Sequence, residues 1–270
     1  MAENQFQGKW ALILGASSGF GAASARGLAR AGMDILGVHL DLKSTLPRAK
    51  QVMADVEALG RRAVFFNKNA ADARKRGQML DKMQEVLEES KPPGVVHVVL
   101  HSLAFGTLLP FIPTEPGEEM VDQKRMDMTL NVMAHSLVYW VQDLVAREML
   151  VQGSRVFSMT SAGSHRVIRG YGAVSAAKAA LESHTRQLAL ELAPRGILVN
   201  CIQAGVTDTP ALRMIPNSDK IVAEVLARHP AGRLTTPEDV AQTLVALSDP
   251  ALTWISGSVI HVDGGEDVAT

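Results

Sequence analysis

Short apolar runs alternate with longer amphipathic stretches along the whole chain. Residues 10–14, 35–40, 63–66, 95–100, 156–159, 197–202 and 259–262 read as strands. Between most of them lie twelve or more residues whose apolar positions recur at helical spacing. A strand buried on both faces is apolar throughout, whereas a covering helix hides only one stripe, so this alternation predicts a parallel sheet with helices on both faces. Punctuation agrees with the periodicity: Gly15 to Gly21 opens the first helix, Gly32 closes it and Gly60 closes the next.

Two segments break the rhythm. Pro110, Pro113 and Pro116 make residues 107–119 a loop that leads into a long helix over about 121–150. Pro210, Pro216 and Pro230 surround short helical patches, and a substrate-covering flap is expected over about 205–235. With 270 residues and one strand rhythm, a single α/β domain over 1–270 is the simplest organisation.

Composition narrows the function classes. The 27 basic and 28 acidic residues are interspersed and leave a net charge of -1, so no basic stripe invites nucleic acid. The lone Cys201 rules out an internal disulfide, and the opening MAENQFQGKW has neither an apolar signal core nor an Arg-rich amphipathic pattern. A cytoplasmic protein is expected, with no metal. No apolar run approaches the ~18–20 residues that span a bilayer, so no membrane partner is expected.

Candidate chemistry begins at the first strand-to-helix turn. Gly15, Gly19 and Gly21, with Ser17, Ser18 and Phe20 between them, are spaced G-x-x-x-G-x-G. Such a turn lets backbone approach a pyrophosphate, and the helix start offers unpaired N–H groups to the anion. A doubly wound Rossmann-type sheet binding a dinucleotide is therefore expected. The second strand ends in His39, Leu40 and Asp41. An acid there bonds a ribose 2′-hydroxyl, whereas an arginine receives a 2′-phosphate. Asp41 favours NADH, while Lys43 and Arg48 keep NADPH open. Asp41 has a second reading, as an N-cap or turn residue before a helix starting near Ser44.

The GASSGFG turn, Tyr171, Lys178, the segment from Val199-Asn200 to Gly205 and the ending Val262-Asp263-Gly264-Gly265 together resemble the short-chain dehydrogenase/reductase family over nearly the whole chain. The resemblance implies that Asn69 and Ala70 flank the adenine. It puts His101 and Ser102 beneath the cofactor, and Gly205, Val206, Thr207 and Thr209 against the carboxamide or phosphates. Thr207 and Thr209 have a second reading as caps of a short flap helix. Asn131 matches the family asparagine that holds a relay water, its other readings being a helix kink or an interhelix bond. Leu14 replaces the usual threonine, and His101 the usual asparagine, so His101 is read as structural and given no acid/base role.

The most informative departure is the spacing of the candidate catalytic pair. Most of the family places tyrosine four residues before lysine; here that place is Ser175, and Tyr171 lies seven residues before Lys178. On a helix, offsets of four and seven turn by about +40° and -20°, so either tyrosine shares the lysine's face, the second one turn further out. A cationic Lys178 favours a strong phenol donor, and Tyr171 then stabilises developing oxyanion charge. In ketone reduction that oxygen sits on the carbon receiving hydride; in an enoyl thioester it lies two carbons away, which a displaced phenol suits.

The spacing resembles the enoyl-acyl-carrier-protein reductases, as do residues 101–105, the run Lys178-Ala179-Ala180-Leu181-Glu182 and Ala204-Gly205. Many of that branch carry a second tyrosine where this chain has Ser161, which is a candidate for the thioester oxygen or simply a strand-end serine. The flap residues Ala211, Leu212, Met214, Ile215, Ile221 and Val222, with Leu108, Leu109, Phe111 and Ile112, suit an apolar acyl chain, or form ordinary core. The resemblance further implies an acyl thioester substrate, an acyl-carrier protein as possible partner, a place in fatty-acid synthesis and a homotetramer. Two rivals stay open: a carbonyl or 3-oxoacyl reductase with Ser158 or Thr160 orienting the carbonyl, and a catalytically silent nucleotide-binding scaffold, motivated by Ser175 and Leu14.

Overall fold

Seven strands form one parallel sheet: β1 (Lys9–Leu14), β2 (Asp34–His39), β3 (Ala63–Asn67), β4 (Val95–His101), β5 (Leu150–Ser161), β6 (Leu198–Ala204) and β7 (Val259–Val262). The computed structural model describes residues 6–215 and 217–269; residues 1–5, Pro216 of the flap and Thr270 lie outside the described residues. The strand order is β3-β2-β1-β4-β5-β6-β7, every neighbouring pair parallel. Direction reverses between β1 and β4, which opens a crevice beyond their carboxyl ends, where Leu14 pairs with His101. The doubly wound sheet expected from the sequence is thus the one observed.

Alternation along each strand assigns the two faces. Trp10, Leu12 and Leu14 join Met79 and Leu80 of α3 (Ala73–Glu88), Leu137 and Trp140 of α5 (Ser136–Ala146), and Leu181 of α6 (Gly172–Leu192). Ala11 and Ile13 face the other way, onto Ala25 and Leu28 of α1 (Gly19–Arg30), Val52 and Val56 of α2 (Leu46–Ala58), and Val240 and Leu244 of α9 (Pro237–Leu247). Each fully buried aliphatic side chain contributes about 1.5–3 kcal/mol. These two cores make the sheet a rigid floor for the crevice.

Two stretches depart clearly from the sequence reading, the helix expected over 121–150 and the strand expected over 156–159. The helix expected over 121–150 is α4 (Gln123–Leu130), a single π turn at Asn131–His135, and α5, which stops at Ala146. Glu148 adopts φ 55°, and Met149 N–H donates back to Leu144 O, so the chain reverses and starts β5 at Leu150. β5 is far longer than 156–159 because Ser154 and Arg155 are buried polar residues inside it. Arg155 donates through its two terminal nitrogens to the carbonyls of Gly153, Asp249 and Leu252. The flap carries two helices, α7 (Pro210–Arg213) and α8 (Ser218–Arg228).

Candidate active site

The glycine turn lies at the mouth of the crevice. Gly15 and Ala16 N–H both donate to Val38 O, which ties the turn to β2. Gly15 has φ 95°, and a Cβ on it would collide with Ser102 O; a Cβ on Gly21 would collide with Gly15 O. The turn therefore packs backbone on backbone. Ser18 is the N-cap of α1 but makes no side-chain cap bond, and the first turn of the helix holds no acid. Its N–H groups are free to meet an anion, so this cradle fits a dinucleotide pyrophosphate.

Beside the turn, Asp41 is held as a carboxylate. His39 Nδ1 lies 2.8 Å from Asp41 Oδ2, and both side chains are almost fully buried. Burial works against the charge, but hydrogen bonds from Thr45, Ser17 and His39 hold the carboxyl below its usual range. Asn67, at the end of β3, fixes the backbone on both sides: its Oδ1 accepts from Asp41 N–H at 2.9 Å and its Nδ2 donates to Asp41 O at 3.0 Å. Thr45, not Asp41, is the N-cap of α2, so the capping alternative does not hold. Asn67 was missed by the sequence reading, its polar strand-end position being the only local signal.

Asn69 and Ala70 follow β3. Asn69 Oδ1 accepts from Ala71 N–H, and Ala70 O accepts from Trp140 Nε1. His101 is buried at the end of β4, and Ser102 N–H donates to Leu14 O. Ser136 Oγ donates to Val132 O at 2.8 Å, so its lone pair receives the Nε2–H of His101, also at 2.8 Å. His101 Nδ1 is buried without a hydrogen-bond partner among the described residues. Burial, with the nearby Lys178 charge, lowers its pKa to about 3, which supports the structural reading of this residue.

Tyr171 stands at the N-cap of α6, outside the helix proper, so the helical offset computed from a continuous helix applies only from Gly172 onward. Its ring lies against Gly163, where a Cβ would come within 2.5 Å of Cε1. Burial raises the phenol pKa, and the nearby Ser161 hydroxyl works the other way without reaching hydrogen-bond geometry. Ser161 Oγ is itself buried and without a hydrogen-bond partner among the described residues. Ser175, at the usual tyrosine place, donates to Gly163 O and so pins the turn beneath the Tyr171 ring.

Lys178 is 6% exposed and its Nζ donates to Met159 O at 2.6 Å. Burial lowers its pKa to about 8, with Cys201 and Glu182 acting to raise it. The hydroxyls held in reserve for a carbonyl substrate are engaged elsewhere: Ser158 bonds Thr185 and Cys201, and Thr160 donates to Glu182 at 2.7 Å. Asn131 opens the π turn, which packs against α6.

The flap base closes the site from the C-terminal side. Thr207 donates to Gly205 O, and Val206 N–H donates to Glu266 at 2.8 Å. Thr209 Oγ1 caps α7, as the second reading had it, while its methyl stands 3.5 Å from where a Cβ on Gly19 would lie. Thr209 therefore both caps the helix and touches the glycine turn. The acids that follow β7, Glu266 and Asp267, were not singled out from the sequence.

A family model described as enoyl-(acyl carrier protein) reductase matches residues 15–266. The chain is 28% identical over 269 residues to a cyclohexanol dehydrogenase of Rhodococcus sp. strain TK6, covering 96% of each chain. It is 32% identical over 174 residues to an NADH-dependent enoyl-[acyl-carrier-protein] reductase of Bacillus cereus, covering 64% of this chain and 65% of that one. Among solved structures, a promiscuous reductase catalysing keto-reduction at C1 in lugdunomycin biosynthesis superposes with a TM-score of 0.84 at 26% identity, covering 98% of this chain and all of that one. A short-chain dehydrogenase of Burkholderia cenocepacia in complex with NADP gives 0.81 at 30% identity, with the same coverage. No helix among the described residues is long and apolar enough to cross a membrane. The chain belongs to the short-chain dehydrogenase/reductase family and is an oxidoreductase of the kind that works with NAD(P)(H).

Proposed function

We propose that the protein reduces the C=C bond of an enoyl thioester, with Tyr171 and Lys178 as its catalytic pair. The observation that carries this reading is the set-back of Tyr171 to the mouth of α6, while Ser175, at the usual tyrosine place, is bonded to Gly163 O. A phenol placed there meets an oxygen remote from the carbon that receives hydride. Ser161, beside it with an unengaged hydroxyl, offers that oxygen a second hydrogen bond. The engagement of Ser158 and Thr160 inside the protein weighs against the carbonyl-orienting role.

The bound cofactor supplies the hydride. The α1 N-terminus and Gly15–Gly21 turn would hold its pyrophosphate, and Asp41 its adenosine ribose, where a carboxylate accepts from a 2′-hydroxyl and repels a 2′-phosphate. NADH is therefore the proposed cofactor. Lys178, protonated at neutral pH, places positive charge beneath the site and favours the tyrosine as donor. Tyr171, kept neutral by burial, holds a proton at Oη and donates to the enolate oxygen as charge develops there. Phe111 packs over Gly172 at the start of α6, which puts an aromatic wall beside Tyr171 for an apolar acyl chain. An acyl-carrier protein as carrier and a homotetramer belong to the same proposal.

A second reading, reduction of a carbonyl, is favoured by the alcohol dehydrogenase relative that matches over 96% of the chain. Oxidation of reduced cofactor with a short enoyl thioester and its 3-oxoacyl counterpart, using NADH and NADPH, separates the two. The expected outcome is enoyl-dependent oxidation of NADH that falls at least ~100-fold in Tyr171→Phe. Preference for the 3-oxoacyl substrate, or undiminished activity in the variant, would sink the enoyl reading.

A further inference from the structure

The loop that joins β5 to Tyr171 is not held by burial. After the turn at Ala162–Ser164 it runs out to Val167, which is fully exposed, before returning to Tyr171. Its outer limb is held from two sides: Arg169 donates to Thr114 and pairs with Glu118 at 3.2 Å, while His165 and Arg166 meet a residue about a hundred positions away. Asp267 receives His165 Nε2 at 2.9 Å and Arg166 Nε at 2.7 Å, and the Arg166 guanidinium also donates to the Asp267 main-chain carbonyl. Gln203, near the end of β6, adds a third side-chain donor to the same carboxylate at 3.0 Å.

Asp267 is presented rigidly. Its N–H donates to Asp263 Oδ2 at 3.1 Å, while Asp263 Oδ1 accepts from Gly265 N–H at 3.0 Å. Burial opposes its charge, but Gln203, His165 and Arg166 hold the carboxyl below its usual range. The side chain is only 10% exposed, so its charge-assisted bonds are screened far less than those of an open surface pair. On the inner limb, two residues before His165, Gly163 carries the ring of Tyr171 and is itself pinned by Ser175.

We propose that Asp267 is a positioning residue for the proton donor: it clamps His165 and Arg166 and thereby holds the Gly163 turn and the Tyr171 ring in register with the cofactor cradle. This rests on the reading of Tyr171 as that donor. The chain has two tyrosines, and in a Tyr139→Phe background Tyr171 is the only one, so its phenolate absorbance reports its own titration.

In that background, Asp267→Ala and Arg166→Gln break the clamp from either side. Each variant is expected to bring the Tyr171 titration midpoint down towards the ordinary tyrosine value near ~10, because the loosened loop admits water. Amides 165–171 are expected to exchange faster at neutral pH while those of β5 and α6 keep their protection. Turnover should fall roughly tenfold with the KM for reduced cofactor changed less than about twofold, and Asp267→Glu should recover part of it. An unchanged midpoint together with unchanged exchange at 165–171 in either folded variant overturns the proposal. Failure of the enoyl reading would look different: the unaltered chain would show no enoyl-dependent oxidation, while the midpoint and exchange differences would persist.

Discussion

Lys178 is a residue whose acid–base chemistry the fold changes strongly. Its ammonium is buried on α6 with one carbonyl partner, and burial lowers its pKa from 10.5 to about 8. Between those values the unfolded chain binds a proton that the folded chain has released, so stability rises with pH across the window. Lys178→Met removes this titration. Its melting temperature relative to the native chain is expected to be most favourable below pH 8 and to decline steadily towards pH 10.5, which calorimetry across that range would reveal. Activity should fall over the same limb, as the cation that favours Tyr171 is lost. Tyr171 and Lys178 could be singled out in the sequence because they lie seven residues apart and match the family resemblance. Asn67 and Asp267 were not, because each acts on a partner remote in sequence that only the sheet order brings near.

At the scale of elements, the π turn at Asn131–His135 is more than a local kink. It rotates the following residues so that Ser136 donates to Val132 O and receives the Nε2–H of His101, joining the helix to the end of β4 beneath the cofactor cradle. Removing that hydroxyl leaves a buried imidazole with neither nitrogen satisfied. Ser136→Ala is expected to lose about 1–3 kcal/mol of unfolding free energy in urea, with the urea dependence itself unchanged. Only Asn131, a poor helix former inside a helical period, hinted at a kink there, and its π form was not legible because an inserted helical residue has no composition of its own. Strands β1, β2 and β4 were legible because they are buried on both faces and read as continuous apolar runs. The first half of β5 was hidden by Ser154 and Arg155, polar residues whose bonds are made to carbonyls across the fold.

Across the whole molecule, the sheet supplies a rigid floor, and the flap and the loop to Tyr171 are both tied to one short turn after β7. Glu266 holds Val206 at the flap base, and Asp267 holds the tyrosine loop. Those two neighbouring acids join the flap base and the tyrosine loop to the same turn. The doubly wound class followed from the alternation of apolar runs with helical periods; this closure could not, because it joins residues 165, 166, 203, 206, 266 and 267 through contacts that leave no periodic trace.

Cys201, the only cysteine, lies in the middle strand of this closure, fully buried against Ser158, and burial lifts its thiol pKa to about 11. A maleimide or disulfide reagent meets no thiolate while the sheet is intact, so reaction at this position keeps time with the opening of β6 and nothing else. The native protein thus carries an internal clock for its own unfolding. Saturating it with reduced nicotinamide nucleotide is expected to slow labelling of Cys201 by the factor 1 + [L]/Kd, and labelling at the same rate with and without nucleotide would mean that β6 opens without releasing the cofactor cradle. Any cysteine added at the surface, such as at the fully exposed Val167, can then carry a fluorophore on the tyrosine loop without competition from the core.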